Sequence, residues 1–492
     1  MIKLKSFQVK WLGLFAGIVC LICVLLFANF SPEHQSAKIV AAIAVLMAVW
    51  WITEAVPLSV TSLVPLVLFP LFGVVSGSQT ADAYMNSTIF LFMGGFIIAI
   101  AMEKWNLHKR IALKVIGVAG KTPSKIILGF MCASAFISMW ISNTATAVML
   151  LPIGMAIIYR VEEEFGKEKT KKFSLALMLG IAYSCSIGGI ATLIGTPPNL
   201  VFMRIYKISF PKNPEILFGD WMKFGVPIAI IMLAFVWVLL TKVLYNSDKT
   251  FKVDEEIIQN EKKKTGKMTF EEKAVLVVFI ATSLLWIFRV ELDLGFATIP
   301  GWSSLFPSMK FIDDGTVAIT MAVLLFIIPV KSEGSGSVFI LEHDAIKKIP
   351  WDIILLFGGG FALAEGFVSS GLSQMIGQQF VSLKGVNVIF IIAAICTVIT
   401  YLTELTSNTA TAQIILPILA SLAAELQISP MLVMIPATLS ASFAFMLPVG
   451  TPPNAIVFSS QRLRIVDMAK SGMAINIFGI IAVTLFVYFY FA

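Results

Sequence analysis

The sequence predicts an all-α polytopic membrane protein: about 11 transmembrane helices plus two re-entrant hairpins, organised as inverted-topology repeats. Three observations carry this expectation. The chain is 58% hydrophobic and 13% charged, with a mean hydropathy of +0.91, whereas a soluble domain carries about 25% charged residues. Near-uncharged runs such as Trp11 to Phe30, and Val226 to Leu240 with its flanks, reach the ~20 residues needed to cross a bilayer. Finally, three motifs occur twice in the same order.

The first set is Leu91-Phe92-Met93-Gly94-Gly95-Phe96, Ser142-Asn143-Thr144-Ala145-Thr146 and Gly195-Thr196-Pro197-Pro198-Asn199. The second is Leu356-Phe357-Gly358-Gly359-Gly360-Phe361, Ser407-Asn408-Thr409-Ala410-Thr411 and Gly450-Thr451-Pro452-Pro453-Asn454. Gly94 to Gly359 and Ser142 to Ser407 are both 265 positions apart, and Gly195 to Gly450 is 255. The second copy is therefore ten residues shorter between its last two motifs. One such polar break would pass for an ordinary kink in a membrane helix. Matched breaks in two hydrophobic halves point to a transporter's binding site. The repeats divide the chain into 1–243, a charged link at 244–273, and 274–492.

In order, the apolar runs predict helices at about Trp11–Phe30, Lys38–Ala55, Val60–Val75 and Tyr84–Met102. The mixture of Glu103, Lys104, His108, Lys109, Arg110 and Lys114 with Trp105, Leu107, Ile111 and Leu113 predicts an amphipathic interfacial segment. The run Ile126–Tyr159 is too long for one crossing and has no solvated loop for two. A re-entrant hairpin with Ser142-Asn143-Thr144 at its tip resolves this, since non-helical backbone at membrane depth must be buried in protein or line a cavity. A basic link, Arg160 to Lys172, leads to a helix from Phe173 to about Tyr206 that breaks at the first Gly-Thr-Pro-Pro-Asn. The next helix ends near Leu244, and the charged segment Ser247–Lys273 follows. Further helices are expected at Ala274–Val290, at Thr316–Val330 and from Trp351. A second hairpin spans about Val386–Leu422 with its tip at 407–409, and a helix from Pro430 breaks at the second Gly-Thr-Pro-Pro-Asn. A final helix follows Arg462, Arg464 and Lys470 to the C-terminus.

The formal net charge of +7 is spread over short links and reads as membrane orientation rather than as a nucleic-acid face. With the N-terminal lysines in the cytoplasm, alternation places five basic clusters on that side: Lys104/Lys109/Arg110, Arg160–Lys172, Ser247–Lys273, Lys331/Lys347/Lys348 and Arg462/Arg464/Lys470. The opposite side receives Lys38, Lys207, Lys212, Lys223, Lys310, Lys384 and the junctional Arg204 and Arg289. The positive-inside rule is met only if each hairpin returns to its own side. The two hairpins then enter from opposite faces, the C-terminus lies outside, and the halves are inverted. The first helix lacks a small-residue cleavage pattern and is read as a membrane span rather than a signal peptide.

Ser, Asn and Thr at hairpin tips need hydrogen-bond partners in a dry bilayer. Broken helices add N–H groups that attract anions at half-helix N-termini, and carbonyls that attract cations at C-terminal ends. One site can thus hold a carboxylate and a small hard cation together. No Lys or Arg lies in either tip or either break. A divalent anion would then need helix dipoles, amide donors and bound cations, which motivates sodium coupling. Glu54, Asp352, Glu365 and Glu404 are intramembrane acids of interest. Glu404 adjoins Thr403 and the second triplet and is a candidate for the site, while Glu54 and Asp352 equally suit local caps or pairs near the interface. His34, His108 and His343 fall in links. Cys20, Cys23, Cys132, Cys185 and Cys396 lie in apolar runs without metal or disulfide spacing. Neither an enzyme constellation nor a phosphate-binding loop is present, so the chain is read as a non-enzyme without a cofactor. A channel is the rival from another class, and the two opposed dead-end hairpins argue against it.

The paired Ser-Asn-Thr tips, the paired Gly-Thr-Pro-Pro-Asn breaks, Trp51-Ile52-Thr53-Glu54-Ala55-Val56-Pro57 and the stretch Ser442 to Asn454 resemble the divalent anion/sodium symporter family of di- and tricarboxylate carriers. The likeness covers nearly the whole chain. It implies a homodimer in the cytoplasmic membrane working by an elevator mechanism. It also implies substrate contacts from Asn143, Thr144, Asn408, Thr409, Thr451 and Pro452. One sodium site would be lined by Ser138, Ser142, Asn143 and Gly195, the other by Thr403, Ser407, Asn408 and Gly450. The expected substrates are small dicarboxylates such as succinate, malate, fumarate or 2-oxoglutarate. Sodium symport is preferred to sodium-independent exchange of dicarboxylate or citrate, and sulfate carriers are more distant relatives.

Overall fold

The computed structural model describes residues 2–120, 122–246, 256–293, 298–331 and 338–491. They are almost entirely helical, apart from a two-residue antiparallel pairing of 292–293 with 298–299 and an isolated bridge between Pro329 and Phe339. The first half contains α1 (Ile2–Phe27), α2 (Gln35–Thr53), α3 (Leu58–Thr61), α4 (Val64–Leu71), α5 (Gly77–Asp82), α6 (Ser87–Lys104) and α7 (Leu107–Val118). It continues through α8 (Pro123–Ser138), α9 (Asn143–Phe165), α10 (Lys167–Gly189), α11 (Pro197–Ser209) and α12 (Phe218–Val238). A π-helical turn, Leu239–Leu244, extends α12. The charged link contributes α13 (Glu256–Thr265), and residues 247–255 of it lie outside the described residues.

The second half contains α14 (Phe270–Ile287), α15 (Asp314–Leu325), α16 (His343–Lys347), α17 (Trp351–Ser369) and α18 (Leu372–Gln378). It closes with α19 (Val388–Thr403), α20 (Asn408–Leu426), α21 (Met431–Ser440), α22 (Pro452–Phe458) and α23 (Ile465–Phe491). Among the described residues, nine helices are long and apolar enough to cross a membrane.

Local chemistry sets the boundaries. The Asn86 carboxamide accepts from Thr88 and Ile89 N–H and starts α6. Thr269 and Glu272 form a reciprocal capping box at the start of α14, four residues before the expected boundary. Asp313 caps α15 through Thr316 N–H. The single helix expected at 60–75 is two, because the chain turns at Ser62-Leu63 before Pro65, which suits a first helical turn. The helix expected to reach Val330 ends at Leu325, where the Leu341 N–H bonds the Leu325 carbonyl. Helix α18 carried no signal strong enough to be foreseen. The amphipathic segment is a helix, α7, but its apolar face is covered by protein: Leu107, Ala112, Leu113 and Ile116 are buried against neighbours that include α8. Its Arg110 forks onto both carboxylate oxygens of Glu272 at 2.9 Å and also donates to the Thr265 carbonyl. His108 donates to the Met102 carbonyl, and burial pushes its imidazole below the usual range.

The two halves interlock through matched partners. Helix α6 packs on α15, and α17 on α3. Helix α9 packs on α22, and α20 on α11. Glycine permits the close crossings, as is common between membrane helices. A methyl at Gly94 would lie 2.6 Å from the Ala318 carbonyl carbon, and one at Gly359 would lie 2.5 Å from Ser62 Cβ. Each glycine motif thus presses on a segment upstream of the other motif.

Candidate functional site

Both triplets sit where two helices meet. Helix α8 ends at Ser138, the chain turns through 139–142, and α9 begins at Asn143. Ser142 caps α9 by accepting from Ala145 N–H at 3.2 Å. The second copy repeats this with α19 ending at Thr403, Ser407 in the cap position and α20 beginning at Asn408. Pro152 and Pro417 fall at the same point of the two returning helices.

The two breaks are also built alike. Asn199 Nδ2 donates to the Gly189 carbonyl at 3.1 Å and the Thr192 carbonyl at 2.7 Å, stapling the unwound stretch between α10 and α11. Asn454 Nδ2 donates to the Ala444 and Leu447 carbonyls at 2.9 and 3.0 Å, ten and seven residues back as in the first copy. The backbone amide of Asn454 bonds the Thr451 hydroxyl. The proline pairs stop each helix from running through its break, because proline lacks the amide donor and clashes with the preceding turn.

These four pieces meet at one cavity of about 650 Å³. From the triplets it is lined by Ser142, Asn143 and Thr144 and by Ser407, Asn408 and Thr409. From the breaks come Gly195, Thr196 and Pro197, and Gly450, Thr451, Pro452 and Pro453. Helices α9, α11, α20 and α22 therefore all begin on its wall. Of the substrate and sodium ligands expected from the sequence, only Ser138 and Thr403 are not on the surface of the cavity. They lie behind it, Ser138 donating to Asn143 Oδ1 and Thr403 donating to Asn408 Oδ1 at 2.7 Å and lying 2.8 Å from the Ala441 carbonyl.

Oxygens converge beside the first triplet. A methyl at Gly189 would stand 3.0 Å from Asn143 Oδ1 and 3.1 Å from the Gly195 carbonyl, and one at Gly195 would stand 2.5 Å from the Gly189 carbonyl. The second site differs, with the Ala444 side chain where the first has Gly189 and with Glu404 Oε2 3.2 Å from the position a Gly450 methyl would take. Among the described residues no cluster of three His, Cys, Asp or Glu side chains is present, so the cation-attracting atoms here are mostly neutral oxygens.

The four acids separate. Glu404 is buried and does not face the cavity. Its carboxylate accepts from the backbone amides of Phe445, Met446 and Leu447 at 2.8, 2.8 and 3.2 Å, and from Asn476 Nδ2 at 2.8 Å. It holds the second unwound stretch in place. Glu365 on α17 pairs with Arg204 on α11 at 3.0 Å, away from the cavity. Glu54 and Asp352 do line the cavity, as do Pro57, Phe92, Phe96 and Leu356. Trp140 and Gly95 also line it, and only the neighbouring motifs hinted at them.

A multi-pass helical membrane protein with two broken helices and two helix–turn–helix pairs meeting at one cavity has the build of a secondary transporter. The family model described as "Sodium:sulfate symporter transmembrane region" matches residues 8–492, and the chain belongs to this divalent anion:sodium symporter family. It is 43% identical over 493 residues to the sodium-dependent dicarboxylate transporter SdcS of Staphylococcus saprophyticus, covering 99% of this chain and 92% of that protein. The SdcS of Staphylococcus aureus strain NCTC 8325 is also 43% identical, over 495 residues, with the same coverage. Two solved transporters share the fold at low identity. The Alcanivorax borkumensis YdaH transporter has a TM-score of 0.55 at 10% identity, over 85% of this chain and 87% of its own. Neisseria gonorrhoeae MtrF has a TM-score of 0.55 at 12% identity, over 96% and 97%.

Proposed function

We propose that the protein is a sodium-coupled symporter of C4 and C5 dicarboxylates such as succinate, malate, fumarate and 2-oxoglutarate, working by alternating access across the cytoplasmic membrane. The observation that carries this reading is the meeting of four half-helix N-termini and two Ser-Asn-Thr turns on one cavity whose lining contains no Lys or Arg. Half-helix N-termini favour anions, and Asn amides and Thr hydroxyls donate to carboxylate oxygens. Asn143, Thr144, Asn408, Thr409, Thr451 and Pro452 are the proposed substrate contacts. Sodium is proposed beside each triplet, at Ser138, Ser142, Asn143 and Gly195 and at Thr403, Ser407, Asn408 and Gly450. Two bound cations compensate the charge of a dianion that no basic side chain neutralises. The names of the SdcS relatives, sodium-dependent dicarboxylate transporters, support the substrate class and the coupling ion.

The proposal extends to re-entrant hairpins, inverted repeats, an elevator movement, a homodimer and a cytoplasmic N-terminus. Contacts between the basic links support the orientation. Arg462 pairs with Glu162, Arg110 reaches Thr265 and Glu272, and Trp105 Nε1 bonds the Ile340 carbonyl. Four of the five proposed cytoplasmic clusters thus make or adjoin these contacts, and Lys331 with Lys347 and Lys348 flanks the last. The test is labelled succinate uptake into proteoliposomes, with the sodium gradient and internal succinate varied independently. Uptake into empty vesicles driven by sodium is expected. Uptake that needs internal dicarboxylate and ignores sodium would make the protein an exchanger, and uptake of sulfate alone would overturn the dicarboxylate assignment.

A further inference from the structure

The cavity lined by the triplets and the helix N-termini is also lined by two carboxylates, Glu54 and Asp352. Both are exposed rather than packed away, and among the described residues neither has an ion-pair partner. Glu54 ends α2 in the left-handed region at φ 47°, where Gly or Asn is the usual occupant. A non-glycine residue held there costs free energy and persists where the surroundings demand it. Asp352 sits in the first turn of α17, where an acid is favoured by the helix dipole. That accounts for an acid at 352 but not for its facing an anion-binding cavity.

We infer that Glu54 and Asp352 form a charge sieve in the lining of the cavity: they repel an anion from the cation-free cavity and set an upper limit on the negative charge it accepts. This rests on the proposed sodium-coupled dicarboxylate reading. An empty cavity lined by two carboxylates and no Lys or Arg disfavours a dianion, since like charges brought together in a confined space cost free energy. Two sodium ions at the triplets offset the two carboxylates and admit the dianion. A trianion of similar size meets more repulsion than two cations relieve. The sieve thus couples anion entry to cation occupancy and selects dicarboxylate over tricarboxylate without touching either.

The experiment compares wild type with Glu54→Gln, Asp352→Asn and the charge-retaining Glu54→Asp in proteoliposomes. Succinate KM is read at limiting and at saturating sodium, with inhibition by fully ionised citrate. Each neutralised variant is expected to lower the succinate KM ~3–10-fold at limiting sodium, with little change at saturation. Citrate is expected to inhibit more strongly relative to succinate, and Glu54→Asp is expected to behave as wild type. Wild type alone gives a second readout. Raising ionic strength with choline chloride at fixed limiting sodium screens the sieve and is expected to lower the succinate KM. The inference is overturned if neither readout moves, or if both anions lose affinity in parallel, which would make these residues structural or direct ligands. Either position alone carries the variant test, and the choline arm needs no variant. Absence of sodium-driven succinate uptake by wild type would instead sink the functional reading, and the sieve with it.

Discussion

Glu404 shows how a single acid can serve a site without facing it. A carboxylate that accepts three backbone amides and one Asn amide fixes the path of Phe445 to Leu447. Leaving such donors unpartnered costs about 1–3 kcal/mol each. Glu404→Ala is therefore expected to lower the melting temperature of the purified protein strongly, and Asn476→Ala to lower it less. A Glu404→Ala protein that melts with wild type would show that the unwound stretch is held by other means. The sequence marked Glu404 as near the second triplet, which is correct in space. Adjacent positions in a helix point in different directions, so proximity along the chain did not say that the side chain turns toward 445–447 rather than into the cavity. Glu54 and Asp352 are the converse, lying far from any triplet in sequence and placed on the cavity by packing.

At the scale of elements, the glycine motifs are crossing points. Gly94 meets the Ala318 backbone and Gly359 meets Ser62, so an added methyl in either place forces helices apart. Overpacking of this kind costs about 1–3 kcal/mol. Gly94→Ala and Gly359→Ala are expected to reduce thermal stability in detergent. Gly77→Ala, whose new methyl has its nearest neighbour 3.7 Å away at Pro70, is expected to change it by less than about 0.5 kcal/mol. Equal melting of all three variants would show that these crossings relax. Helix starts are set by caps written in the chain at Asn86, Thr269, Asp313 and Ser142, although the start of α14 was expected four residues later, at Ala274. Helix ends were misjudged where hydropathy alone was the guide. Apolar runs continue past Leu325 and through Ser62-Leu63, yet the helices stop there because of tertiary hydrogen bonds and a turn.

For the molecule as a whole, the proposed coupling has a thermodynamic counterpart. A ligand that binds only the folded protein raises its apparent stability by mass action. Succinate is expected to raise the melting temperature in sodium and to have little effect when potassium replaces it, with sodium alone giving a smaller rise. A succinate effect of equal size in both salts would point to exchange without cation coupling. The interlocking of α6 with α15 and α17 with α3, and of α9 with α22 and α20 with α11, makes each half incomplete without the other. The proposed substrate site is correspondingly shared, since its contacts come from both hairpins, whereas each proposed sodium set comes from one half.

The sequence by itself determined the membrane class, the duplicated motifs, the two interruptions in each half and the residue types at the site. These follow from composition, from hydropathy over helical lengths and from the fixed spacing of polar breaks, all of which are local. The tertiary structure decided which of those residues share a surface, that Ser138 and Thr403 stand behind their asparagines, and that Glu404 supports the site while Glu54 and Asp352 face it. Such choices depend on how helices far apart in the chain rotate and cross, which is set by close packing at a few glycines and by buried hydrogen bonds that no local pattern encodes.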